Sequence, residues 1–194
     1  MEYLRRYLLV LLLAIFVCVP FLIIMASDKD SLDLRVVEGG GFVLQTSDGV
    51  LSNNDLLGKT VLIFFGYLSC PDYCPTTMTK IADSFDLLSD KELSSTRALF
   101  ISVDPNRDTL GKLKEYTQYF HQNIIGATTN QSSIDDIIKR YGGSYSLNNR
   151  SDKDHYSVDH SLDILLMTTS GEVITKLKSN ISPLELSKAI GRYL

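Results

Sequence analysis

The stretch "KTVLIFFGYLSCPDYCPTTMTK", Lys59 to Lys80, decides how the chain folds. Its first half, Lys59 to Leu68, is a continuous apolar run of strand length, rich in β-branched and aromatic side chains. That is the pattern of a strand buried on both faces. Past the loop, Met78, Ile81, Phe85 and Leu88 recur at intervals of three and four, the period of a helix. Cys70 and Cys74 lie between the two halves, separated by Pro71, Asp72 and Tyr73. A buried strand that passes through a short loop into a helix is a unit of an α/β sheet with helices on its faces.

Working outward, the same order repeats. Phe42 to Thr46, a turn at Ser47-Asp48-Gly49 and a return strand read as a small hairpin. "TRALFISV" is a second buried strand, and Thr109 to Phe120 is helical, with Leu113, Tyr116 and Phe120 on one side. "SSIDDIIKRYGG" is a helix closed by glycines. "SLDILLMTTSGEVITKLK" reads as strand, turn at Ser170-Gly171 and strand. "SPLELSKAIGRYL" opens with Ser182 as N-cap, Pro183 at the first helical position and Glu185 completing a capping box. The order is hairpin, β, α, β, α, α, β-hairpin, α, which fits a thioredoxin-like mixed sheet flanked by helices. The polar segment "SYSLNNRSDKDHYSVDH" interrupts it and reads as an insertion or lid loop.

Composition agrees with a folded chain: 194 residues, 44% hydrophobic and 22% charged. A net charge of −4 leaves no basic footprint for nucleic acid, which is set aside as a partner. Arg5 and Arg6 precede an almost unbroken apolar stretch from Tyr7 to Ala26, long enough to cross a bilayer as a helix. Ile24 and Ala26 make a poor cleavage site, so residues 1–26 are expected to remain as a membrane anchor. The arginines place the N-terminus in the cytoplasm and the rest outside it. The lack of an Arg- and Ser-rich amphipathic pattern favours a bacterial inner membrane, with the domain in the periplasm. Residues 27–38 read as a tether and 39–194 as the folded domain.

Export changes the meaning of the cysteines. Cys18 lies in the apolar segment, where it acts as a small hydrophobe. Cys70 and Cys74 remain as a pair in an oxidising compartment, where a disulfide can persist. A domain of this size buries its own core and needs no such staple. If Cys74 opens the helix, both sulfurs converge on a helix N-terminus, which lowers a thiol's pKa. Three intervening residues, rather than two, separate this pair from thioredoxin-type redox couples. A structural zinc site needs four ligands, and no second cysteine pair exists. Two soft thiolates suit copper, above all Cu(I), with imidazole as the natural third ligand. The candidates are His121, His155 and His160. His121 reads as a helix-terminal cation, His155 as a solvated loop residue, and His160 as a histidine where a polar loop enters a buried strand. Spacing does not choose among them.

"FFGYLSCPDYCPTT", "SVDPNRDT" and "YSVDHS" together, in this order, resemble the Sco/SenC proteins, membrane-anchored copper-binding assembly factors of cytochrome c oxidase. The resemblance runs from about Gly39 to Leu194. It implies a thioredoxin-like domain that binds one copper ion, Cu(I) or Cu(II), through Cys70, Cys74 and His160, the two cysteines also forming a redox disulfide. It further implies cytochrome c oxidase subunit II as recipient, with its binuclear copper site, and a copper donor protein upstream. The chain departs from the family pattern at Leu68-Ser69, where Thr-His is common, at Leu110, where proline is frequent, and at Met167-Thr168-Thr169, in place of an Asp-Pro turn. None of these positions is an implied ligand.

The expected role is therefore that of a metallochaperone rather than an enzyme. The alternative is a thiol–disulfide reductase that keeps the oxidase cysteines reduced, using Cys70 and Cys74 without His160. A peroxidase would need an arginine beside the nucleophile, for which Arg107 is the candidate. Asp104 reads as part of a strand-end turn, and Asp108 or Thr109 as the cap of the next helix. Asp159 neighbours His160, but adjacent strand residues point to opposite faces. Asp72 shapes the loop between the thiols. Asn130, Asn149 and Asn180 begin Asn-x-Ser triplets that matter only in a eukaryotic secretory pathway.

Overall fold

The computed structural model describes residues 39–148, 157–161 and 163–194, together with Tyr3 and Arg6. The expected anchor at Tyr7 to Ala26, the tether and His155 lie outside these residues. Among the described residues no helix is long and apolar enough to cross a membrane.

In chain order the elements are β1 (Val43–Thr46), β2 (Gly49–Ser52), β3 (Thr60–Gly66), α1 (Tyr73–Asp86), α2 (Asp90–Ser94), β4 (Thr96–Ser102), α3 (Leu110–Phe120), β5 (Ile124–Ala127), α4 (Gln131–Arg140), β6 (Tyr145–Asn148), β7 (Ser157–His160), β8 (Ile164–Met167), β9 (Val173–Leu177) and α5 (Pro183–Gly191). The main sheet has the order β5-β4-β3-β8-β9. Strands β3, β4 and β5 run parallel, while β8 and β9 are antiparallel additions. This is the mixed, thioredoxin-like sheet the sequence predicts.

β3 is the centre, buried along its whole length. Its side chains alternate between faces. Val61, Ile63, Phe65 and Tyr67 join the core under α4, with Ile134, Ile137 and Ile138. Phe64 points the other way, toward Phe100 and the α1 side. Each such buried side chain contributes about 1.5–3 kcal/mol over its exposed state. Glycine also allows a close approach between elements. At Gly126 a Cβ would stand 2.6 Å from the Leu113 carbonyl oxygen, so α3 can cross β5 only over a glycine.

The N- and C-terminal readings hold locally. Gly49, with φ of +127°, closes the β1–β2 turn. The Ser182 hydroxyl accepts the Glu185 N–H at 3.3 Å, while Glu185 Oε2 accepts the Ser182 N–H at 2.9 Å. Asn130, flagged as a triplet start, is the N-cap of α4 and accepts the Ser133 N–H at 3.0 Å.

Three features differ from the sequence reading. The strand β5 and the short helix α2 were not expected. The expected lid loop is instead built at both ends into an antiparallel ribbon of β6 and β7, in which Tyr145 faces His160. Ser161 N–H donates to the Ser144 carbonyl at 2.8 Å, closing its base. The Tyr145 hydroxyl, bonded to Asp135 and Gln131, ties the ribbon to α4. The paired residues, nine to fifteen positions apart, flank a polar segment with no tight-turn dipeptide, so the sequence reads as loop.

Candidate metal centre

The centre forms where β3 ends and α1 begins. After Gly66 the chain turns, with Cys70 N–H donating to the Tyr67 carbonyl at 3.2 Å. Leu68 N–H donates to Asp108 Oδ2 at 3.0 Å, and the Ser102 hydroxyl donates to the same oxygen at 2.6 Å. Asp108 is therefore not the helix cap. Thr109 caps α3, and the buried Asp108 carboxylate stitches the cysteine loop to the end of β4.

Cys74 is the second residue of α1 and is fully buried, whereas Cys70 is half-buried. Both are free thiols. The Cys74 N–H donates to Cys70 Sγ at 3.3 Å, so the free amide at this helix start serves the other cysteine's sulfur. The expectation that the helix end lowers the pKa of both thiols fails at Cys74. Burial pushes its thiol well above the usual range, and a backbone hydrogen bond at Tyr67 offsets only part of that. Desolvation wins over the dipole because no solvent reaches the sulfur.

His160, the last residue of β7, brings its Nε2 to 3.4 Å from Cys74 Sγ. Its Nδ1 lies 2.9 Å from the Ser161 carbonyl oxygen, which can only accept, so Nδ1 carries the proton. Nε2 is left with its lone pair toward the sulfurs. Burial lowers the imidazole's pKa, outweighing the Ser161 carbonyl and Asp159, and keeps the ring neutral. The rings of Phe64 and Tyr67 meet it edge-on at 5.9 and 5.8 Å between centroids.

Sγ of Cys70, Sγ of Cys74 and a ring nitrogen of His160 all lie within 4.8 Å of one another. An ion bonded to thiolate at the zinc-like length of about 2.3 Å holds two donors no more than about 4.6 Å apart. Three donors spread in a plane around such an ion stand about 4.0 Å apart, so adjustments of less than about 1 Å let the three share one ion. Two thiolates and an uncharged imidazole suit a soft cation.

The other candidates are elsewhere or otherwise engaged. His121 is the C-cap of α3, at the helix end as expected, where its Nδ1 accepts the Asn123 N–H at 2.9 Å and its ring meets Phe85 edge-on. Arg107 pairs with Asp104 at 2.5 Å and lies over the Tyr67 ring, 5.9 Å from its centroid. Asp104 forms the expected turn, its carbonyl accepting the N–H groups of Arg107 and Asp108. Asp159 is exposed, on the opposite side of the strand from the half-buried His160. The Asp72 carbonyl accepts the Thr76 N–H at 3.2 Å in the first turn of α1. Sequence reasoning missed Gly66, Tyr67 and Asp108. At Gly66 a Cβ would stand 2.9 Å from Cys74 Sγ, so the glycine makes room for the ligand.

A thioredoxin-like domain with two cysteines and one histidine converging at the end of its central strand belongs to the class that handles soft metals or thiol redox chemistry. The comparisons narrow this. The SCO1/SenC family model matches residues 32–194, and the chain belongs to that family. A SCO2-like protein of Rickettsia conorii is 35% identical over 150 residues, covering 76% of this chain and 73% of that one. The copper-bound structure of ScoI from Bradyrhizobium japonicum shares 33% identity with a TM-score of 0.73, covering 80% of this chain and 99% of its own. The copper-bound structure of yeast Sco1 also shares 33% identity, with a TM-score of 0.72 over 80% of this chain and 87% of its own.

Proposed function

We propose that this protein is a copper metallochaperone of cytochrome c oxidase assembly. It holds one copper ion between Cys70, Cys74 and His160 and passes it to the binuclear copper site of oxidase subunit II. The observation that carries this reading is the convergence of the three donor atoms within 4.8 Å, with the histidine lone pair turned toward the sulfurs. Family membership and the copper held by two relatives at 33% identity support the choice of metal.

Copper is cargo here, taken from a donor protein and surrendered to the oxidase. Loading displaces the thiol protons, which overcomes the burial that otherwise keeps Cys74 protonated. Half-buried Cys70 is the more accessible of the two sulfur ligands, so an incoming thiolate exchanges there before it reaches fully buried Cys74. Oxidation of the cysteines to a disulfide removes both sulfur ligands and gates the site. The segment Tyr7 to Ala26 anchors the chain in a bacterial inner membrane with the domain in the periplasm.

One observation favours the alternative reductase role. Cys70 is partly accessible and receives an amide N–H from the start of α1, as an attacking thiol requires. The test mixes the copper-loaded full-length chain, in detergent, with the metal-free soluble domain of subunit II. The chaperone reading expects copper to appear on subunit II and to depend on His160. Reduction of a subunit II disulfide without copper movement, unchanged in His160→Ala, contradicts it and selects the reductase.

A further inference from the structure

β6 and β7 form a sheet of two strands, apart from the five-stranded one. Such a ribbon is marginal on its own and keeps its place through what it touches. Yet it carries His160, whose ring nitrogen must meet two sulfurs set on other elements. The bonds between Ser144 and Ser161 close the ribbon on itself and do not tie it to the domain. Val158 is buried in the core, but an apolar contact is non-directional and leaves the ribbon's orientation open.

Tyr145 supplies a directional hold. It is the residue directly opposite His160, so the two side chains share one face of the ribbon. Its half-buried ring packs against the core. Its hydroxyl donates to Asp135 Oδ1 and accepts from Gln131 Nε2, both at 2.5 Å, and is thus donor and acceptor at once on α4. The same Gln131 nitrogen stands 3.4 Å from the Val103 carbonyl oxygen, and Val103 N–H donates to the Gly66 carbonyl at 2.9 Å. Gly66 is the residue against which Cys74 Sγ lies. An unbroken series of contacts therefore runs from the histidine ribbon, through α4 and the end of β4, to the cysteine side of the centre.

We propose that Tyr145, gripped by Asp135 and Gln131, is a positioning residue for His160, holding the ribbon where the imidazole meets the two sulfurs. The inference rests on the copper reading for what His160 does, while the grip itself belongs to the metal-free chain. Asp135 is exposed and Tyr145 half-buried, so breaking the grip loosens the ribbon without opening the core. Tyr145 acts through the ribbon rather than as a ligand, at a point no ligand motif marks.

The test uses the full-length chain in detergent. Tyr145→Phe deletes the hydroxyl and keeps the ring, Asp135→Ala removes its acceptor, and Asp135→Asn restores an oxygen in the same place. Ser182→Ala, which weakens α5 instead, controls for lost stability alone. In the metal-free chain, amide hydrogen exchange of the ribbon and the ring-nitrogen resonances of His160 are recorded. In the copper-loaded chain, the sulfur-to-Cu(II) charge-transfer band and Cu(I) affinity by chelator competition are measured. Tyr145→Phe and Asp135→Ala should each speed exchange of the Ser161 amide roughly three- to tenfold, shift the His160 resonances and the band, and weaken Cu(I) binding by a similar factor. Asp135→Asn should stay close to the parent, and Ser182→Ala should match it in the His160 and copper readouts. Added to His160→Ala, Tyr145→Phe should cause no further loss of affinity, because it acts through the imidazole. Parent-like His160 resonances in Tyr145→Phe, or a loss that adds in full to that of His160→Ala, would overturn the proposal. Shifted His160 resonances in a chain that binds no copper would sustain the Tyr145 role while removing the copper reading.

Discussion

Replacing Gly66 by alanine tests how tightly the fold sets the metal centre. The added Cβ would stand 2.6 and 2.9 Å from two atoms of the Phe100 ring and 2.9 Å from Cys74 Sγ. Ordinary contacts between such atoms begin at about 3.5 Å, so overlaps of roughly 0.6–0.9 Å must be relieved. Neither neighbour can swing into solvent, because Phe100 and Cys74 are both fully buried. Phe100 is held between Phe64 and Tyr116, with centroids 6.1 and 5.4 Å away. Overpacking of this kind costs about 1–3 kcal/mol. For a domain of this size, a 2 kcal/mol loss lowers the thermal midpoint by roughly 4–8 °C. Because Cys74 Sγ must also move, copper affinity should fall at least roughly tenfold, equivalent to about 1.4 kcal/mol. Thermal unfolding and chelator competition on the same preparations measure both effects. Gly126→Ala is the control, since on β5 it produces a similar clash against the Leu113 backbone of α3. It should destabilise comparably while leaving copper affinity within about twofold of the parent. A Gly66→Ala protein that loses stability but keeps the parent's affinity refutes the idea that Gly66 sets the sulfur's position.

Two further outcomes follow from the same geometry. Burial raises the Asp108 carboxyl above its unfolded value, so the folded chain holds that proton more tightly. The stability it contributes is full below the unfolded pKa of about 3.9 and is lost as pH rises through the folded value. The unfolding free energy of the parent relative to Asp108→Asn should therefore decline by denaturant titration as pH rises from below the unfolded value through the raised folded one, and a flat or rising difference contradicts this. Ser182→Ala breaks the α5 capping box and should cost about 1 kcal/mol, or roughly 2–4 °C by thermal unfolding, with copper affinity unchanged.

Much of the scaffold is legible in the sequence because burial writes itself as pattern. The all-apolar β3 run, the helix period after Cys74 and the Ser182–Glu185 box each need only local neighbours, and each appears as expected. β5 escaped because it is four residues long, contains Gly126 and follows a helix directly. β6 and β7 escaped because their pairing joins residues such as Tyr145 and His160 across a polar segment. The two sulfurs were legible as a pair, but the third donor was not, since His160 lies 86 residues from Cys74. Family resemblance selected it, and the fold brings it there. Of the two cap candidates Asp108 and Thr109, Thr109 is the cap, and nothing in "DPNRDT" reveals that the Asp108 carboxylate turns back to Leu68 and Ser102. The direction of the Cys74 shift was misjudged for a related reason: position in a helix can be read from sequence, but depth of burial cannot.

The most direct test of the central claim is copper stoichiometry and affinity for the full-length chain in detergent, compared with Cys70→Ala, Cys74→Ala and His160→Ala. The account predicts one tightly held copper per chain in the parent. It also predicts loss of tight binding in both cysteine variants and clear weakening with an altered charge-transfer band in His160→Ala. A parent that holds no copper, or three variants that retain it as the parent does, contradicts the account.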